Sequence, residues 1–238
     1  SWKQAGLLDA LRDDYRDRLK SKWTVRPSIL PTEHHMDSFV GRTATEYVRD
    51  YADERPMCLF VGFPGPHEPW DAPEEYEAMY KGKDLPPHKP IPERIAGQPE
   101  EIAGKDQLQP TEEYTPEGAR AIKENYYGKV SLIDHWVGEI LAAFEKRGWY
   151  DDLQILFWSD HGEHLGDHGR VFKSTFHESS IAVPMMARIP GVTRPGSVSD
   201  ALVETIDLFP TLIELGSAEM PEGWPGHSLL ELARGEKK

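Results

Sequence analysis

Residues 155–169 read ILFWSDHGEHLGDHG, a short apolar run that breaks abruptly into acid, histidine and glycine. The run from Leu153 to Trp158 is continuous rather than alternating and is bounded by turn residues, which predicts a strand buried on both faces of a sheet. Asp160 and His161 then fall just past its carboxyl end, where open α/β sheets bind their ligands. Gly162 permits close backbone approach at that turn.

Two further runs have the same character, Met57 to Phe63 upstream and Val183 to Ile189 downstream. Helices separate them. From Thr115 to Arg147, Ile122, Tyr126, Val130, Ile133, Val137, Ile140 and Phe144 recur at steps of three or four and lay an apolar stripe along one long helix. Thr115 can cap it, Pro116 suits the first helical position, and Gly148 stops it. Other helices are predicted at Asp37 to Tyr51, at Leu8 to Leu19, and from Asp207, which can cap, to Gly216. Strands and helices in alternation predict an α/β fold, a mostly parallel sheet flanked by helices. Residues 86–116 interrupt it with a Pro-, Gln- and Glu-rich stretch that has no sustained period, expected as a long surface excursion.

The 238 residues are 38% hydrophobic, ordinary for a globular protein. A net charge of -14 argues against nonspecific nucleic-acid binding, which needs clustered Lys and Arg. No apolar run approaches the roughly 18 to 20 residues of a membrane span, and residues 1–20 lack the pattern of a secretory signal. The single cysteine, Cys58, excludes an internal disulfide and a multi-cysteine zinc site, and its setting in MCLFVGF predicts a buried core thiol.

Several residues could carry chemistry. Asp160 and His161 can both turn toward one cation, or Asp160 can cap a following helix while His161 packs beside it. His164 and His168 add nitrogen donors nearby, but the H-E-x-x-H spacing of a zinc helix is absent. Glu163 and Asp167 are expected to be solvated or capping residues. Lys173, where the chain returns after the glycine-rich turn, is either a surface charge or a compact cation for sulfate or phosphate oxygens. His67 follows the run 57–63 in a loop stiffened by Pro66 and Pro69, which puts it at a strand end as well. His34 and His35 are expected at or just before a helix start, in a structural role.

Taken in order, PHEPWDAPEEY (66–76), NYYGKVSLIDHWVGEIL (125–141), SDHGEHLGDHGRVFKSTFHESSIAVPMMARIPG (159–191) and VETIDLFPTLIELGSAEMPEGWPGHSLL (203–230) resemble the middle of a type I sulfatase, of the alkaline-phosphatase superfamily. The resemblance runs from about Glu33 to Gly235 and implies an alkaline-phosphatase-like core. It places Asp160 and His161 on two ligands of a divalent cation, normally calcium. Lys173 falls on the lysine that contacts the sulfate, and His67 on the histidine that contacts the ester or assists the leaving oxygen. His177 stands where many relatives have an aromatic residue and Ser179 where many have an acid.

The activity implied is hydrolysis of a sulfate ester to an alcohol and inorganic sulfate, with a hydrated formylglycine attacking sulfur. The family's Cys-x-Pro-x-Arg or Ser-x-Pro-x-Arg precursor of formylglycine does not occur here, since Cys58 is followed by Leu59, Phe60 and Val61. Nor does the early aspartate pair that completes the metal site. The expectation is therefore an incomplete catalytic domain over 1–238, an interior piece catalytically silent by itself, its sheet completed by a missing segment or another chain. A phosphonate monoester or phosphodiester hydrolase of the same superfamily, and a noncatalytic domain derived from the fold, are the alternatives.

Overall fold

The computed structural model describes residues 2–21, 23–90 and 115–236. Most of the predicted surface excursion at 86–116 lies outside these residues. The chain forms two compact units, residues 1–148 with 163–181, and residues 149–162 with 182–238.

The first unit is helical. Its elements are α1 (Leu8–Arg18), α2 (Met36–Asp50), α3 (Glu74–Ala78), α4 (Pro116–Lys146) and α5 (Glu178–Ile181). The long helix α4 forms where the apolar stripe predicted it, and Thr115 caps it by accepting from the Gly118 amide. Helices α2 and α3 both pack on α4. Two glycines permit this: a side chain at Gly41 would collide with the Trp136 ring, and one at Gly128 would lie 2.9 Å from the Tyr76 backbone.

The core of this unit is Trp70, Ile122 and Val171, with Trp23, Val25, Tyr126, Leu165 and Phe172 packed around it. Arg18, on α1, secures the Trp70 segment from the other side. Its guanidinium bonds Asp14 at 2.6 Å and donates to the carbonyls of Trp70 and Pro27 at 2.8 and 2.9 Å. Those bonds satisfy a cation that would otherwise be costly to bury. Asn125 on α4 accepts from the Ala72 amide at 3.0 Å, so the chain just past Trp70 is held as well.

The second unit contains β1 (Ile155–Trp158), β2 (Met185–Arg188), α6 (Leu208–Leu215) and α7 (Leu230–Arg234). Helix α6 stops at Gly216, as the sequence predicts, and enters through a turn at Thr205–Asp207, where Asp207 Oδ2 accepts from the Glu204 amide at 3.0 Å. Arg188 braces the ribbon, stacked 4.5 Å over the Tyr150 ring and bonded to the Leu153 carbonyl.

Four expectations need correction. The strands β1 and β2 form, but pair antiparallel with Ile155 opposite Arg188 and Trp158 opposite Met185, so among the described residues no parallel ladder joins named strands. Nor are they buried on both faces: Phe157 and Met186 are 38% and 59% exposed, because a two-stranded ribbon covers neither of its own faces. Residues 57–63 form no strand, since among the described residues no neighbour supplies a ladder. Cys58, with no sheet to bury it, is exposed. Among the described residues no helix is long and apolar enough to cross a membrane.

Candidate active site

Within the first unit, Lys173 Nζ lies 2.5 Å from His67 Nε2. Packing explains how residues so distant in sequence meet. Trp70, three residues after His67, stacks on Phe172, the residue before Lys173, with ring centroids 6.4 Å apart and planes inclined by 15°. An ammonium can only donate, so His67 Nε2 accepts and the neutral ring carries its proton on Nδ1. That nitrogen is 3.0 Å from the Glu68 carbonyl and 3.0 Å from Glu68 Oε2.

The turn that delivers Lys173 is pinned by Glu163, which accepts from the Leu165 amide at 3.3 Å and from the Phe172 amide. The His164 amide donates to the Phe172 carbonyl at 2.9 Å. Phe172 and Ser174, on either side of Lys173, have φ of 72° and 78°. Left-handed backbone at such residues costs about 1–3 kcal/mol each and persists only where surrounding bonds impose it. Glu163, expected to be solvated or capping, is instead largely enclosed. Burial raises its pKa to about 7, helped by nearby Glu68 and opposed by the two amides and Lys173.

Below the His67 loop lies a cavity of about 160 Å³, bordered by His35, Asp37, Gly65, His67, Asp71 and Lys129 among others. Asp37 Oδ1 accepts from the Gly65 amide at 2.8 Å. Lys129 Nζ, reaching up from α4, contacts the carbonyls of His67 and Pro69 at 2.8 and 3.3 Å and Asp71 Oδ1 at 3.1 Å. His35 sits at the start of α2 as the sequence suggests, buried, with its Nδ1 accepting from the Asp37 amide.

Asp160 and His161 belong to the second unit. Asp160 Oδ1 accepts from the His161 amide at 2.9 Å, and Asp160 Oδ2 lies 3.7 Å from His161 Nε2. His161 Nδ1 is 2.9 Å from the Gly162 carbonyl. A proton on Nδ1 answers that carbonyl and leaves the Nε2 lone pair, on the side of Asp160 Oδ2, for a metal. Two ligands at right angles on calcium, each about 2.4 Å from it, stand about 3.4 Å apart. The pair therefore fits one cation, as two ligands of a larger set. Among the described residues no group of three or more His, Cys, Asp or Glu side chains is disposed to hold a metal.

Three other histidines, His164, His168 and His177, form a separate cluster in the first unit. His164 is buried, with Nε2 2.9 Å from Thr175 Oγ1 and Nδ1 2.9 Å from Ser179 Oγ, and His168 stacks on His177 at 4.2 Å. Burial, with His177, Arg170 and His168 nearby, lowers the His164 pKa to about 4. His164 is thus a neutral, hydrogen-bonded core residue, and Ser179 is one of its partners. Lys129 was not singled out from sequence, and Glu163 was read only as solvated or capping. A signal for Lys129 existed: Ile122, Asn125, Lys129 and Leu132 share a helical spacing, which puts a lysine in the buried stripe.

The Sulfatase family profile matches residues 4–218. The multifunctional alkaline phosphatase superfamily protein PehA of Trinickia caryophylli is 30% identical over 90% of this chain and 44% of its own length. An arylsulfatase of Clostridium perfringens is 32% identical over 89% of this chain and, again, 44% of its own. The solved phosphonate monoester hydrolase of Agrobacterium radiobacter superposes with a TM-score of 0.77 at 25% identity, covering 92% of this chain and 46% of that one. The chain thus spans less than half the length of these relatives. Its fold is of the sulfatase and alkaline-phosphatase type, and by the reach of the profile match and the identity to its relatives the chain belongs to the sulfatase family.

Proposed function

We propose that the complete polypeptide hydrolyses a sulfate ester to an alcohol and inorganic sulfate, with Lys173 and His67 at the ester and Asp160 and His161 as ligands of a divalent cation, calcium. The observation that carries this is the contact of Lys173 Nζ with His67 Nε2, held in place by the stack of Trp70 on Phe172. Lys173 offers a compact positive charge to the sulfate oxygens, where negative charge accumulates as the ester bond breaks. For His67 Nε2 to hold or protonate the departing oxygen it must first take a proton, which the Lys173 ammonium in contact with it can supply, and the Nδ1 proton, near Glu68, fixes the ring's orientation. Asp160 and His161 would hold the cation, which when bound would supply positive charge as a Lewis acid. No segment of this chain matches the formylglycine precursor, so residues 1–238 alone are expected to be silent. The reading carries with it a partial catalytic domain over 1–238 and, in the complete polypeptide, a mostly parallel, helix-flanked sheet to which the antiparallel β1–β2 pair would belong; the fold likeness supports it.

A second reading, hydrolysis of phosphonate monoesters or phosphodiesters, is favoured by the likeness to the phosphonate monoester hydrolase and to the multifunctional superfamily member. The two substrate classes share tetrahedral geometry and differ mainly in charge. The test is to assay the complete polypeptide side by side on 4-nitrophenyl sulfate, bis(4-nitrophenyl) phosphate and a phenylphosphonate monoester, with calcium and with chelator. The sulfate should give the highest kcat/KM and should lose it on chelation. A higher value for either phosphorus ester would favour the second reading, and no turnover of any would leave a noncatalytic binding domain.

A further inference from the structure

The His67 loop, Pro64 to Pro69, borders the 160 Å³ cavity on its inner side, so packing alone does not fix it there. Hydrogen bonds from beneath take that role. An ammonium has three protons, and Lys129 Nζ has an acceptor for each: the carbonyls of His67 and Pro69 and the carboxylate of Asp71. Lys129 is 4% exposed and Asp71 3%, so each bond is made away from competing water. Asp71 is held in turn by His35, whose Nε2 lies 3.7 Å away, and His35 Nδ1 lies 3.4 Å from Asp37, the residue that bonds the Gly65 amide. The loop is therefore tied at Gly65 to the start of α2, and at His67 and Pro69 to the middle of α4.

We propose that Lys129 is a positioning residue for His67: its ammonium sets the height and orientation of the imidazole that meets Lys173, and so sets the rate of the ester hydrolysis without touching the ester. This rests on the proposed hydrolase reading for its catalytic consequence, but not for its structural one. A displacement of about 1 Å of a reacting group can lower a rate by about 100-fold. A lysine whose three donors are all committed has none left for substrate, so its loss should fall on kcat rather than on binding.

The experiment compares Lys129→Met with Val48→Ala, a core truncation on α2 remote from the loop, in the complete polypeptide. Two quantities are read: kcat and KM on 4-nitrophenyl sulfate, and the ring ¹⁵N resonances of His67 in histidine-labelled protein, assigned by their loss in His67→Asn. Lys129→Met should lower kcat about 10- to 100-fold with KM within about 3-fold, and should move the His67 resonances. Val48→Ala should melt earlier yet leave both unchanged. If Lys129→Met does not fold, Lys129→Gln, shorter and neutral but still a donor, is read by the same criteria. A folded Lys129 variant with wild-type kcat and unmoved His67 resonances overturns the proposal, and so does an equal response in Val48→Ala. If the wild type turns over no ester, the hydrolase reading has failed and the resonances alone decide the positioning role.

Discussion

Lys173 Nζ lies 2.5 Å from His67 Nε2, 106 positions away in the chain, and the contact follows from an aromatic stack one to three residues removed from each partner. The stack fixes two backbones rather than two side chains. Trp70 fixes the exit of the His67 loop, while Phe172, in left-handed conformation, turns the chain so that Lys173 faces that loop. The site residues themselves are part-exposed and would not fix each other, since exposed contacts of this kind contribute about 1 kcal/mol or less.

One consequence is a specific tautomer. Because Lys173 donates to Nε2, neutral His67 should carry its proton on Nδ1. Two-bond ¹⁵N–¹H correlation of histidine-labelled protein at pH 8 should show that form for His67, and Lys173→Met should relax it toward the Nε2–H form that free imidazole prefers. A wild-type ring already protonated on Nε2 would mean that the contact does not form in solution.

Stability should be unevenly distributed among the aromatics. Trp70 is 1% exposed at the centre of its cluster, so Trp70→Ala should cost about 3–5 kcal/mol in chemical denaturation. Phe209, 36% exposed against Trp224, should cost only about 1 kcal/mol when truncated. Equal costs would contradict the core as described.

His164 should make stability depend on acid pH. Its pKa falls from 6.5 to about 4 on burial, so the unfolded chain takes up a proton that the folded chain refuses. The stabilisation is fully present above about pH 6.5 and is lost as pH falls toward 4, by on the order of 3 kcal/mol in all. The stability difference between wild type and His164→Gln should therefore shrink from pH 7.5 to pH 4.5. Taking the difference separates His164 from Glu163, whose raised pKa acts with the opposite sign over an overlapping range. A difference that stays constant with pH would refute the buried neutral imidazole.

Where periodicity acts over many residues, the sequence was informative: α4 begins at Pro116 behind its Thr115 cap, and α6 ends at Gly216. His67 and Lys173 were singled out because each sits in a motif of fixed order, and the structure brings their side chains into contact. Residues 57–63 and Cys58 were misread because an apolar run reports a wish to be buried, while burial in a sheet depends on neighbours the run cannot name. Glu163 and Lys129 were missed for the converse reason. A charged residue announces exposure in composition, and only tertiary structure reveals that amides or carbonyls have been assembled around it.

The most direct test is a double-mutant cycle on His67 and Lys173 in the complete polypeptide, read as kcat/KM for 4-nitrophenyl sulfate. His67→Ala and Lys173→Ala should each lower it about 100- to 10,000-fold, and the double variant should lose far less than the product of the two, as expected of groups in contact acting on one ester. An active wild type whose single variants both stay within about 2-fold would contradict the account.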